Sequence, residues 1–122
     1  MEEGIIINRI SSQRQDEGYS LPQQSKLNNE ALAKDGRKTT KEFFIIESAK
    51  ISEKRDSFQE VITYLKQHKS IKFVYIEKPD RLTRNLKDIT LIYDLMYQND
   101  ITFVFSKENL VLSQPLQLTS QS

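Results

Sequence analysis

Ile71-Lys72-Phe73-Val74-Tyr75-Ile76 runs through Glu77-Lys78-Pro79 into Asp80-Arg81-Leu82-Thr83-Arg84-Asn85. A short run rich in β-branched and aromatic side chains, closed by a proline, reads as a buried strand. The segment from Asp80 to Arg84 places one carboxylate and two guanidinium groups within five residues. Arg9-Ile10-Ser11-Ser12 has the same setting, directly after the apolar run Ile5-Ile6-Ile7. Two arginine-bearing loops leaving adjacent strands form a clamp for a dianionic phosphate, because each guanidinium can donate paired hydrogen bonds to phosphate oxygens. A serine hydroxyl held in that clamp is a candidate nucleophile. The pattern points to serine-based phosphoryl transfer.

Residues 5–8 form the first strand, and a polar loop leads from it to Tyr19. Ser20-Leu21-Pro22-Gln23 has the form of a helix start, with a serine N-cap, proline in the first turn and glutamine three residues on. Leu27 and Ala31 share one face of this helix, and Gly36 is placed to end it. Phe43-Phe44-Ile45-Ile46 is the second strand, and a charged loop runs from Glu47 to Arg55. Asp56 with Gln59 makes a second capping box, after which Phe58, Val61, Ile62 and Leu65 recur at helical spacing. A third helix over 86–98 carries Leu86, Ile89, Ile92, Tyr93 and Met96 on a wide apolar side, and residues 101–105 make a fourth strand. Beyond Ser106 the pattern fades into a polar tail. The domain is therefore expected over 1–106, with a tail over 107–122.

Alternating strands and helices predict an α/β fold. It is a three-layer sandwich, with a mainly parallel sheet of four or more strands and helices on both faces. Ligands of open α/β sheets bind outside the carboxyl ends of the strands. Ser11 follows the first strand, Ser48 and Lys50 the second, and Asp80, Arg81 and Arg84 the third, so distant polar motifs converge on one edge.

A chain of 122 residues is one domain, and 37% hydrophobic with 29% charged residues is the balance of a soluble globular protein. A formal net charge of +1 does not advertise a polynucleotide binder, so nucleic-acid contact must come from local clustering or from a partner domain. There is no cysteine, hence no disulfide framework and no thiolate metal site. The one histidine, His68, stands near the end of the second helix, and no group of ligands has metal spacing. No apolar run reaches the roughly 18–20 residues of a membrane span, and no signal peptide is visible, so the cytoplasm is the expected compartment.

The motifs together resemble the catalytic domain of the serine recombinases, the resolvase, invertase and large serine integrase family. The matching elements are Arg9-Ile10-Ser11-Ser12, Ser20-Leu21-Pro22-Gln23-Gln24, Glu47-Ser48-Ala49-Lys50 with Arg55, and Lys78-Pro79-Asp80-Arg81-Leu82-Thr83-Arg84-Asn85, in the family's order. The resemblance implies a flavodoxin-like wind and site-specific strand exchange on double-stranded DNA. It implies a 5′-phosphoserine intermediate and a free 3′-hydroxyl, with no metal and no cofactor. By matched position Ser11 would be the nucleophile, Arg9, Arg81 and Arg84 would hold the phosphate, Arg55 and Asp80 would complete the site, and Gln24 would face it. Self-association into dimers and tetramers is expected in a full-length context. The family's long dimerisation helix and DNA-binding domain have no counterpart in the final residues, so this chain alone is expected to fold without recombining DNA.

Other readings of the same residues stand beside these. Ser12 competes with Ser11 as nucleophile. Asp80 is either an acid/base or an anchor for an arginine, since flanking guanidinium groups lower a carboxyl pKa. Arg81 and Arg84 are expected to face solvent, Lys50 reads as a solvated loop charge more than as a ligand, and Gln24 is nearly as readily a packed amide. Tyr64, Tyr75, Tyr93 and Tyr97 read as core. The alternative function is a truncated, non-catalytic recombinase relic that pairs with or regulates full-length relatives. A phosphoacceptor module like a response-regulator receiver fits less well, because the strand ends carry serine and arginine where such modules carry a carboxylate cluster.

Overall fold

The apolar runs and the helical periodicities form the elements they predict, and the strands assemble into one twisted sheet. The computed structural model describes residues 1–11, 19–47, 57–82 and 86–114, with the main chain only at Ser11, Glu47 and Ser57. In chain order the strands are β1 (Glu3–Ser11), β2 (Lys38–Glu47), β3 (Phe73–Ile76), β4 (Thr102–Phe105) and β5 (Leu110–Leu112). The helices are α1 (Leu21–Lys34), α2 (Ser57–Gln67), a single turn α3 (Pro79–Leu82) and α4 (Leu86–Asn99). The sheet order is β2-β1-β3-β4-β5. The first four of these strands are parallel, and β5 runs antiparallel to β4.

Alternation along β1 divides the core. Ile5 and Ile7 pack with Phe58, Val61, Ile62 and Leu65 of α2 and with Ile92, Leu95 and Met96 of α4. Ile6 faces the other way, onto Leu32 of α1, with Tyr75 and Val104 beside it. Helices therefore cover both faces of a mainly parallel sheet, as the alternation predicts. Each such fully buried Ile or Leu contributes roughly 1.5–3 kcal/mol.

The start of α1 is capped as its sequence dictates. Ser20 is the N-cap, its hydroxyl accepts from the Gln23 N–H, and the Gln23 side chain accepts from the Ser20 N–H. At the other end Gly36 takes φ +76, and the N–H groups of Gly36 and Arg37 close back onto the Ala33 and Leu32 carbonyls. Only a residue without a Cβ takes that conformation at little cost.

The inward line of α1 is Gln24, Asn28 and Leu32, with the expected Ala31 partly buried beside it. The surface beneath is itself polar. Asn28 donates to the Asn8 side chain at 3.0 Å and accepts from Ser106, while Asn8 donates to Glu42 at 2.7 Å. These two buried asparagines have partners, which is what makes their burial tolerable. The tail after Ser106 also departs from expectation, since Leu110–Leu112 pairs with β4. Three residues are too few to show a period, and all three are exposed on the sheet's edge.

On α4 the outcome differs again. Ile92, Leu95 and Met96 are buried, but Leu86 and Ile89 are exposed, and Tyr93 and Tyr97 are 52% exposed. Of the tyrosines read as core, only Tyr75 is fully buried. Tyr64 is half-buried, with its ring edge-on to Phe43 and stacked on His68. The uncovered side of α4 borders an apolar cleft of about 290 Å³, whose walls include Pro79, Leu82, Phe105 and Leu112. The capping residue Asp56 lies outside the described residues.

A candidate phosphate-binding edge

β1 and β3 are neighbours, paired from Gly4↔Phe73 to Ile7↔Ile76. Beyond Ile7, β1 continues four residues further alongside β2, to Ser11↔Glu47. Arg9 thus stands past the end of β3, on a stretch of β1 that has lost its neighbour on that side. Gln24 takes the neighbour's place. Its carboxamide oxygen accepts the Arg9 N–H at 2.9 Å, and its nitrogen donates to the Arg9 carbonyl at 3.1 Å and the Tyr19 carbonyl at 2.9 Å. The amide is fully buried, so both main-chain groups of Arg9 are satisfied without a strand.

The guanidinium of Arg9 reaches across the gap. Nη1 donates to the carbonyls of Arg81 and Leu82, at 3.1 and 3.0 Å. These are the last carbonyls of the single turn α3, which an in-line cation suits well. Two motifs 72 residues apart are therefore tied into one structure. Leu82 adds a buried apolar anchor to the same turn.

Arg81 is not the solvated residue expected. Its side chain is 13% exposed, and Nε donates to Glu77 Oε1 at 2.9 Å in an ion pair. Glu77 is fully buried, and its carbonyl accepts from the Lys107 N–H at 3.0 Å, so the residue is fixed to the β4–β5 turn. Asp80 by contrast points outward, its side chain 78% exposed, with the Lys78 ammonium 4.0 Å away. The carboxylate that anchors Arg81 is Glu77, not Asp80. The sequence did contain a signal for it. Glu77 directly follows the apolar strand and stands four residues before Arg81, the spacing that brings side chains together on a helical turn.

Of the candidate residues, the structure brings Arg9, Gln24, Asp80 and Arg81 to the carboxyl edge of the sheet, and the main chain of Ser11 ends β1 there. Ser12, Ser48, Lys50, Arg55 and Arg84, and the side chain of Ser11, lie outside the described residues. Among the described residues no group of three or more His, Cys, Asp or Glu is placed to hold a metal ion. No helix among them is long and apolar enough to cross a membrane.

The fold has close counterparts among solved structures. The N-terminal catalytic domain of TP901-1 integrase superposes with a TM-score of 0.76 at 21% identity, covering 98% of this chain and 88% of that one. A resolvase family site-specific recombinase from Streptococcus pneumoniae gives 0.74 at 20%, covering 99% and 83%. The C-terminal catalytic domain of ISC1926 TnpA, an IS607-like serine recombinase, gives 0.64 at 21%, covering 98% and 75%. At such identities the likeness is one of fold. No curated protein sequence matches the chain significantly. A family model described as "Resolvase, N terminal domain" does match, over residues 4–119. That span takes in all but the first residue of the strands and helices, and the chain belongs to this family, the resolvase-type serine recombinases.

Proposed function

We propose that the chain is the catalytic domain of a site-specific DNA recombinase in which Ser11 is the nucleophile. The family supports site-specific recombination as the activity. One observation supports this edge as its seat: Arg9 is bonded to the Asp80-Arg81-Leu82 turn, so the serine-bearing strand end and the arginine-bearing turn form one unit. In the proposed step the Ser11 hydroxyl gives its proton to water as its oxygen bonds to the DNA phosphorus. The bond from phosphorus to the 3′-oxygen breaks, and that oxygen takes up a proton from water. Arg81 and Arg84, with Arg55, balance charge on the phosphoryl oxygens, a task for preorganised donors that need not move as charge develops. Asp80, exposed beside Lys78, is placed as the acid/base that exchanges these protons with water. Gln24 and Arg9 act by holding the frame. No cofactor enters this scheme.

The partner in this reading is double-stranded DNA, and cutting two strands together asks for self-association of subunits in a longer context. A second reading, a non-catalytic relic that pairs with relatives, draws on the burial of Arg9, whose guanidinium is given to carbonyls rather than turned outward. Trapping the cleaved complex, in a context that pairs two copies on DNA, decides between them. Mass spectrometry is expected to find DNA attached at Ser11 and no adduct in Ser11→Ala. Attachment at Ser12, or an adduct that survives Ser11→Ala, overturns the assignment; no adduct at all favours the relic.

A further inference from the structure

We infer that Glu77 is a positioning residue for the phosphate site, holding the Arg81 guanidinium in the plane from which it meets a phosphoryl group. The inference rests on the recombinase reading for what the phosphate belongs to. A fully buried carboxylate is costly to place, and an apolar residue at the end of β3 would extend the core without that cost. Glu77 Oε1 is committed to Arg81 Nε, and Oε2 has no hydrogen-bond partner among the described residues. The pair is thus poorly explained as a device for stability.

Its geometry explains it better. The Glu77 main chain is held by the Lys107 N–H, an extension of the sheet's ladder, so the carboxylate is mounted on the rigid part of the fold. α3 is only a single turn; the ties from Arg9 and Leu82 hold its backbone, and Glu77 engages the long side chain of Arg81. A guanidinium carries five donors in one plane. Fixing Nε to a mounted carboxylate therefore fixes the direction of the other four. Lysine, a point charge on a flexible stem, would be drawn to Glu77 without presenting a fork.

The test uses the 122-residue chain and inorganic phosphate as probe. The Arg81 Nε–H resonance, assigned by its loss in Arg81→Lys, is followed by NMR as phosphate is added. In the unaltered chain phosphate should move this resonance. Glu77→Gln keeps the volume and an acceptor oxygen, but exchanges a charge-assisted bond for a neutral one. It should shift the resonance and weaken the phosphate response about tenfold, the equivalent of about 1.4 kcal/mol. Glu77→Asp keeps the charge and shortens the reach, and should fall between. An unchanged response in both variants overturns the inference, as does a phosphate that never moves Arg81. Loss of folding in both variants makes Glu77 a structural residue and overturns it equally. Failure of the recombinase reading shows up separately, as a Glu77-dependent phosphate response with no serine–DNA adduct.

Discussion

Arg37 and Arg81 are each paired with carboxylates on the same parallel sheet, one at the amino ends of the strands and the other at the carboxyl ends. Arg37, its side chain 19% exposed, is held by several partners at once. Nε meets Glu2 at 2.9 Å, Nη1 meets Asp35 at 3.2 Å and the Tyr75 hydroxyl at 2.7 Å, and the guanidinium lies 3.5 Å over the Phe73 ring. Tyr75 in turn donates to Asp35. These partners belong to the end of α1 and the starts of β1 and β3, so the cluster is a clasp between regular elements. Arg81 has Glu77 at Nε and sits in a single turn whose carbonyls accept from the guanidinium of Arg9. A buried arginine with a carboxylate does not by itself mark a site. Which end of the strands it occupies does, because loops leave a parallel sheet's carboxyl edge side by side.

The most demanding test of this difference makes the same change at both arginines. Arg81→Lys should lower DNA cleavage by on the order of 10²-fold or more, the loss expected for one transition-state donor. Arg37→Lys should leave cleavage within about twofold and lower the unfolding midpoint instead, since it forfeits the stacked planar fork. Equal effects on cleavage would erase the distinction between the two clusters.

Gln24→Ala probes the frame of the carboxyl edge. It strips partners from the buried N–H and carbonyl of Arg9 and from the Tyr19 carbonyl. Denaturant unfolding should show a loss on the order of 2–4 kcal/mol. At the amino-end clasp, Glu2→Ala should cost no more than about 1 kcal/mol in the same measurement, because that ion pair is largely solvent-exposed on the glutamate side.

The smallest effect concerns pH. Burial first, and then the hydrogen bond donated to Asp35, push the Tyr75 hydroxyl up to about 12 from its ordinary 10, against the opposing pull of Arg37. The folded protein keeps this proton at a pH where the unfolded chain has released it. The stabilisation is therefore complete below pH 10 and is lost as pH rises through 12. Tyr75→Phe removes the titration, so its stability should fall less steeply over that range, by roughly 1–3 kcal/mol relative to the unaltered chain. Parallel pH profiles for the two proteins would show that the hydroxyl titrates normally. Cleavage compared below that range should be indifferent to the change.

Much of the candidate site was legible because its parts are local. Arg9, Ser11, Asp80 and Arg81 each closely follow an apolar run, and strand direction alone sends them to one edge. Gln24 was legible in position but ambiguous in role, and the structure makes it the packed amide that stands in for a missing strand. Glu77 was overlooked because a charged residue beside a charged motif reads as solvated, and nothing nearby in sequence shows that it is buried. Tyr93 and Tyr97 were misplaced in the opposite sense, apolar enough for a core that α4 does not offer them.

Local sequence was enough to settle the strand–helix alternation, the capping of α1 by Ser20 and Gln23, and its stop at Gly36. These depend on interactions within a few residues, or on a polarity period that any burial would respect. Packing between elements was needed to make Asn8, Gln24, Asn28 and Glu77 interior, to bring residues 110–112 into the sheet, and to leave one side of α4 uncovered. A polar side chain is buried when a partner from elsewhere in the chain meets it, and an apolar one is exposed when none does. Those partners lie far apart in sequence and meet only in the folded chain.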